Sequence, residues 1–234
     1  MGDATLQGVS IAQSESPRMT LAEEFLPAYD VSDAIGVVVA ADLDATWEAL
    51  LRADLIEVGR RKPLVGMLGA LRALPEIVSQ ALHGERPPAP AQRLTLHEIA
   101  RVPLGEGGWT LLGERAGEEI ALGLVGKFWR PVIEFAPVDA ADFAGFDEPG
   151  YAKSVYALSV RALDDHRTLL SGLMRTATTD EHARRWFRRY WTFGVGSGAH
   201  LLVVGLLEVV RDDAEARTGS NGGDEAASQS PSDA

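Results

Sequence analysis

The segment that most constrains this fold runs from Thr179 to Arg217 and changes character along its length. It begins with capping and charged residues, passes through aromatics and arginines, and then becomes apolar and glycine-rich. Such a segment is either a helix buried against a sheet or a membrane span. The uncharged run from Trp191 to Leu207 is short for a span, which needs about 20 apolar residues, and carries His200 near its middle. We therefore predict a buried helix and no membrane span.

Composition limits the possible functions of the chain. Its 234 residues predict one domain, and its net charge of −12 disfavours a nucleic-acid partner, because phosphate contacts need clustered Lys and Arg. The absence of cysteine excludes disulfides and thiolate chemistry and is consistent with a cytoplasmic protein. No phosphate loop or dinucleotide fingerprint is present, and the spacing of the five histidines does not resemble a metal site. We predict no metal and no cofactor.

Both ends of the chain are predicted to be disordered. Residues 1–20 have no positive start and no long apolar run, so they do not resemble a secretory signal, and Met19 is a hypothetical true start. Residues 218–234 are polar, small and acidic, and cannot bury enough apolar area to become ordered. The folded domain is therefore expected to span residues 21–217.

The first elements alternate between strand and helix. A β-branched run from Ile35 to Ala40 predicts an opening strand. Asp44 is a candidate N-cap for the next helix, in which Trp47 and Leu50 share an apolar face. A second periodic region, from Leu64 to His83, is interrupted by Pro75. Two short helices are expected after the first strand.

From Leu94 onward, alternation with a period of two predominates and short turns separate the alternating segments. Such links predict an antiparallel meander. Strands are predicted near Leu94–Ile99, Trp109–Arg115, Glu119–Trp129, Val132–Phe135, Tyr151–Leu163 and Arg167–Thr178. A curved antiparallel sheet of about six or seven strands needs a wall to close its core, and the terminal helix must supply it. We predict an α+β protein with a helix-grip fold.

Three strings resemble the START-like superfamily, also called SRPBCC, which includes polyketide cyclases and dehydrases, lipid-transfer domains and plant hormone receptors. They are DLDATWEALLRADL, WTLLGERAGEEIALGLVGKFW and LMRTATTDEHARRWFRRYW. The resemblance implies a helix-grip domain of a bacterial branch, with a cavity under the terminal helix. Related bacterial sequences often carry Thr-Glu-Thr-Arg in the final strand, whereas Gly172, Leu173 and Met174 precede Arg175 here.

Arg175 is the most prominent polar candidate on the predicted strands. It alternates with Leu169, Ser171 and Leu173, so its side chain can face the interior. There it could pair with Glu114 and orient a ligand, or the two could form a structural ion pair. His97, also predicted to lie on a strand, is a weaker candidate for acid–base chemistry.

The terminal helix supplies further candidates. Gly194, Gly198 and Gly205 fall on one helix face, which indicates either close approach of the sheet or space for a ligand. The arginine block from Arg184 to Arg189 is better interpreted as a solvated helix face than as an anion-binding mouth. Candidate cavity-lining aromatics, each of which could instead be ordinary core, are Trp109, Trp129, Tyr156, Trp186 and Tyr190.

The predicted function is binding of a hydrophobic or amphipathic small molecule between the sheet and the terminal helix. Predicted ligand-binding residues are Glu114, Trp129, Tyr156, Arg175, Tyr190, Gly194 and Gly198. One alternative is a cyclase- or dehydrase-like enzyme that uses His97, Glu114 or Arg175 in proton transfer. Another is a protein-interaction module similar to co-chaperone-like members of the superfamily. No catalytic residue is assigned, and the binding hypothesis is preferred to the enzymatic one.

Overall fold

A computed structural model describes residues 18–61, 93–102 and 109–228. Its strands are β1 (Val31–Val39), β2 (Thr110–Arg115), β3 (Glu119–Gly126), β4 (Ala152–Asp164) and β5 (Arg167–Thr178). Its helices are α1 (Leu21–Phe25), α2 (Leu43–Arg52), α3 (Leu55–Arg61), α4 (Leu96–Ile99), α5 (Ala140–Phe143), α6 (Glu181–Tyr190) and α7 (Gly196–Ser228), with a π-helical segment at Trp191–Val195 between the last two.

The strands form one antiparallel sheet in the order β1-β5-β4-β3-β2, against which the C-terminal helix packs. This arrangement confirms the α+β helix-grip fold. The sheet has five strands in the described part of the chain, not six or seven. Helix α7 continues to Ser228, beyond Arg217, where the sequence predicts the end of the folded domain.

Two of the predicted strands are wrong. The segment Leu94–Ile99 contains helix α4, because Thr95 and Glu98 form a capping box that satisfies the first backbone amides. The segment Val132–Phe135 makes only an isolated bridge, between Phe135 and Gly126. In both cases the apolar alternation is present without a partner strand along its length.

Helix α2 begins at Leu43, two residues before the start that an N-cap at Asp44 would give. Asp42 is the N-cap, and its carboxylate accepts a hydrogen bond from the backbone amide of Ala45 at 2.7 Å. The predicted apolar face is confirmed, since Trp47 and Leu50 are buried in the core under α7. The second predicted helical region, Leu64–His83, lies outside the described residues.

Protein packs against both faces of the sheet. The helix face, defined here as the side under α7, carries a core that includes Ile120, Leu170 and Leu207. The outer face is covered by α1 and α5, and its core includes Leu21 and Phe143. The sheet stays open to solvent on the outer face of β1, where Val38 is 50% exposed, and at the end of β4.

Helix α7 approaches the sheet closely at Gly172 of β5. A Cβ atom at this position would lie 2.5 Å from Cγ1 of Val203, closer than van der Waals contact allows. The glycine that permits this contact therefore lies in the strand and not in the helix.

The C-terminal helical region is bent. The segments Glu181–Phe193 and Gly198–Gly219 meet at an angle of 62°. At the bend Trp191 folds back onto Gly196, where a Cβ atom would lie 2.7 Å from the indole Cε2. Within the described ranges, no single helix is long and apolar enough to cross a membrane. The two bent segments together meet the criteria of length and apolar composition.

Candidate functional site

One row of residues crosses the helix face from edge to edge. Strand register pairs Asp33 with Met174, Met174 with Tyr156, Tyr156 with Leu122, and Leu122 with Leu111. Because directly paired residues point to the same side of a sheet, these five side chains form a continuous band, called here the transverse row. The row is apolar except at Asp33 and Tyr156.

The transverse row lies beneath the bend of the helical region. On one side of it, α7 packs on β5 through Val203 at Gly172. On the other side, Phe187 of α6 packs against Ala152 of β4. The helical axis turns by 62° between these two contacts.

Tyr156 is the polar group at the centre of the row. Its ring packs edge-on against Trp109, with the centroids 5.1 Å apart, and retains some accessible surface. Burial, and to a lesser extent the neighbouring Tyr190, raises the pKa of the Tyr156 hydroxyl. The hydroxyl therefore stays protonated at neutral pH, and it makes no hydrogen bond with any described residue. It is available as a donor inside the fold.

An open groove lies at the bend, at the edge of the sheet where the row begins. Its volume is about 600 Å³, and its lining residues are Ser32, Asp33, Trp191, Gly196, His200 and Leu201. Asp33 belongs both to this groove and to the transverse row. The groove therefore gives access to the β1 end of the row.

A carboxylate–imidazole pair joins strand β1 to helix α7 in this groove. Oδ2 of Asp33 lies 2.6 Å from Nδ1 of His200, and the two side chains are 32% and 42% exposed. Sequence reasoning missed the pair because its members are 167 positions apart. The available signal was an acidic residue alternating with Ile35 and Val37 on an otherwise apolar strand face.

Arg175 faces away from the groove. It lies on the outer face, where Nη1 donates to the carbonyl oxygens of Ala22 at 3.4 Å and Leu26 at 3.3 Å. Its guanidinium also stacks on the ring of Tyr29, 4.7 Å from the centroid. Arg175 thus ties the C-terminal end of α1 to the sheet.

Glu114 does not meet Arg175, so that predicted pairing is wrong. Glu114 pairs with His97 instead, with Oε2 and Nε2 2.7 Å apart. The reason lies in β5, where Leu170 and Met174 fill the helix face and leave the other face to Arg175. His97 itself lies on α4 and not on a strand.

Replacing Arg175 with Gln is expected to destabilise the protein by about 2 kcal/mol, since hydrogen bonds that involve a charged group contribute about 1.5–3 kcal/mol. Urea unfolding measures the loss. Arg167→Gln is the control, because Arg167 is exposed in the β4–β5 turn and should change stability by no more than about 0.5 kcal/mol. Equal losses for both variants would contradict the tethering role of Arg175.

The remaining predicted residues are grouped around the bend. Trp129 and Tyr190 pack around the core of Phe187, and the rings of Phe187 and Tyr190 are 6.3 Å apart. Gly194 lies in the π-helical segment, and Gly198 lies near the start of α7. Their roles in ligand binding stay predictions.

The described part of the chain contains no group of three or more His, Asp or Glu residues arranged to hold a metal ion. At the site, Tyr156 can act as a hydrogen-bond donor and the Asp33–His200 pair as a proton acceptor. Both groups lie on the helix face, within the transverse row or directly above it.

These features define a helix-grip protein with a candidate site at the bend of its C-terminal helical region. No family model matches the chain, and no curated protein matches its sequence. Among solved structures, it is similar to a conserved protein from Geobacillus kaustophilus, with 11% identity over 79% of this chain and 95% of that chain and a TM-score of 0.36.

Two further solved structures are similar over most of their length. The Zhui aromatase/cyclase from Streptomyces sp. R1128 shares 15% identity over 80% of this chain and 95% of that chain, with a TM-score of 0.30. A hypothetical protein from Helicobacter pylori shares 10% identity over 88% of this chain and 98% of that chain, with a TM-score of 0.35. At these identities and TM-scores, the similarities define neither a ligand nor an activity for this chain.

Proposed function

We propose that this protein binds an apolar or amphipathic small molecule between the helix face of the sheet and the bent C-terminal helical region. The observation that carries the proposal is the partly buried Tyr156 at the centre of the apolar row, whose protonated hydroxyl makes no hydrogen bond with any described residue. The ligand would supply the missing acceptor.

The energetic reason is a directed hydrogen bond in a largely apolar setting. A ligand oxygen that accepts a hydrogen bond from the Tyr156 hydroxyl gains about 0.5–1.5 kcal/mol. Leu122 and Met174, the neighbours of Tyr156 in the transverse row, are buried apolar side chains. A ligand that reached Tyr156 from the groove would gain apolar contacts with Trp191 and Leu201 together with one directed hydrogen bond.

The groove at the bend supports a ligand of modest size. Its volume of about 600 Å³ lies within the range of roughly 300–1,000 Å³ that is typical of small-molecule sites. The aromatic side chain of Trp191 lines the groove. These features favour a planar, largely apolar compound with an oxygen acceptor.

A test compares 2-naphthol, which carries one oxygen, with naphthalene, which carries none. Tyr156→Phe should weaken 2-naphthol binding about fivefold, the equivalent of one hydrogen bond of about 1 kcal/mol, and leave naphthalene binding nearly unchanged. Calorimetry or displacement of an apolar fluorescent dye measures both affinities.

The control variant is Tyr29→Phe, because Tyr29 lies on the outer face beside Arg175. It should bind both compounds as the unmodified protein does. If neither compound binds the unmodified protein at micromolar to low millimolar concentration, the proposed function is wrong. If 2-naphthol binds equally well to the Tyr156→Phe variant, Tyr156 is not the polar contact.

A further inference from the structure

We propose that Asp33 and His200 form an acid–base dyad that withdraws a proton from an apolar ligand bound in the groove. The inference rests on the proposed function, because it requires a ligand at the bend. It goes further by assigning a reaction type, proton abstraction, to two residues that sequence reasoning left without a role. The substrate class is a planar apolar molecule that carries an activated C–H or O–H bond.

The hydrogen bond between the two residues fixes which nitrogen of His200 can act. A carboxylate accepts hydrogen bonds, so Nδ1 of His200 carries the proton that points to Oδ2 of Asp33. Nε2 then holds a lone pair, and no described residue donates a hydrogen bond to it. An imidazole that is oriented by a carboxylate and has a free Nε2 is the arrangement needed for a general base.

The surroundings of the dyad provide a place for the substrate. His200 and Asp33 both line the groove of about 600 Å³, together with the indole of Trp191 and the side chain of Leu201. A flat apolar ligand can pack on Trp191 and Leu201 while Nε2 of His200 reaches the acidic hydrogen of the ligand. The partial exposure of His200, at 42% of its side chain, lets the proton return to solvent afterwards.

The dyad and Tyr156 can act on one ligand. Asp33 and Tyr156 lie two strands apart in the transverse row, which corresponds to about 10 Å between their backbones. A bicyclic aromatic compound spans most of this distance. A ligand that reached across Met174, which lies buried between the two residues, would place an oxygen at Tyr156 and its acidic hydrogen towards His200.

A simple probe of the reaction is 5-nitrobenzisoxazole, an apolar bicyclic compound that opens when a base removes one hydrogen. The C–H bond at carbon 3 breaks and its proton passes to Nε2 of His200. The electron pair forms the carbon–nitrogen triple bond, the N–O bond breaks, and the leaving oxygen becomes a phenolate that is followed by its absorbance. No oxidant, reductant or second substrate is needed.

The unmodified protein should open the probe with saturation kinetics, and His200→Gln should lower kcat/KM by on the order of 100-fold or more, since general base catalysis contributes about 10²–10⁴-fold. Asp33→Asn should also lower kcat/KM for the probe, by at least about tenfold. An asparagine amide can donate to Nδ1, which moves the ring proton to Nε2 and removes the acceptor.

A structural role alone would not predict chemical rescue. Added imidazole should restore probe opening in His200→Ala, because it can occupy the space of the missing ring. The control is His166→Gln, since His166 lies in the exposed β4–β5 turn and should not affect the rate. Urea unfolding of each variant establishes that the losses are not caused by unfolding.

The experiments distinguish a failure of ligand binding from a failure of proton abstraction. If His200→Gln binds 2-naphthol normally but opens the probe as fast as the unmodified protein, the dyad is not a base, while the proposed binding function stands. The same conclusion follows if the unmodified protein binds the probe and opens it no faster than free imidazole does. If 2-naphthol and the probe both fail to bind, the proposed function and the dyad are overturned together.

Discussion

Gly172→Val is expected to destabilise the protein by about 3 kcal/mol, at the upper end of the usual range for overpacking a core. A Cβ atom alone would lie 2.5 Å from Cγ1 of Val203 and 3.5 Å from Cδ2 of Leu158. Val203 is β-branched and has little rotamer freedom in a helix, so it cannot move away cheaply. The substitution must either push α7 off the sheet or distort β5.

Thermal or urea unfolding measures this effect, and Gly172→Ala should give a smaller loss in the same direction. Gly219→Ala is the matched control, because a Cβ atom there has no neighbour within 4 Å. The control should be neutral or slightly stabilising, since alanine favours helix by up to about 1 kcal/mol over glycine. A Gly172→Val variant as stable as the unmodified protein would show that α7 does not pack on β5 at this point.

Phe187→Ala is expected to cost about 3–5 kcal/mol, the range found when a buried aromatic ring is removed. Phe187 is 2% exposed and is the only fully buried aromatic side chain of α6 among the described residues. It packs against Phe128 and Ala152, and its ring centroid is 5.7 Å from that of Trp191. Its removal leaves a cavity where α6 joins the sheet.

The comparison for this variant is Phe193→Ala. Phe193 is 87% exposed in the π-helical segment, so its loss should change the free energy of unfolding by no more than about 0.5 kcal/mol. Both values come from denaturant titration followed by circular dichroism. Equal effects at the two positions would mean that α6 is not anchored through Phe187.

Local patterns were sufficient to predict most of the fold. Period-two alternation places β4 and β5 correctly, and the capped, aromatic and then apolar terminal segment predicts the helix that closes the core. The pattern fails at Leu94–Ile99, where the Thr95 capping box makes a short helix out of a sequence that also alternates. Local capping outweighs alternation when no neighbouring strand is present to pair with it.

The orientation of side chains could not be predicted in the same way. Alternation assigns Arg175 to one face of β5 but cannot decide which face lies under α7, because both faces carry leucines and both are covered. The small residue Gly172 marks the helix face, although only the distance to Val203 reveals why it is needed. Arg175 therefore turned out to anchor α1 and not to contact the groove.

The candidate site depends on contacts between distant parts of the chain. Tyr156 was predicted as a lining residue from its aromatic character, but its unpartnered hydroxyl became visible only in three dimensions. The Asp33–His200 pair depends on strand register and on the 62° bend, neither of which has a local sequence signature. Contacts between residues that are distant in the sequence are thus the part of the site that could not be predicted from a single sequence.

The four tyrosines allow a direct measurement of where a ligand binds. Tyr156 and Tyr190 lie on the helix face, near the bend, whereas Tyr29 and Tyr151 lie on the outer face. In protein labelled with ¹³C at the tyrosine rings, a titration with 2-naphthol should shift the signals of Tyr156 and Tyr190 and leave the other two unchanged. Shifts confined to Tyr29 or Tyr151, or no shift at saturating 2-naphthol, would contradict binding between the sheet and the C-terminal helical region.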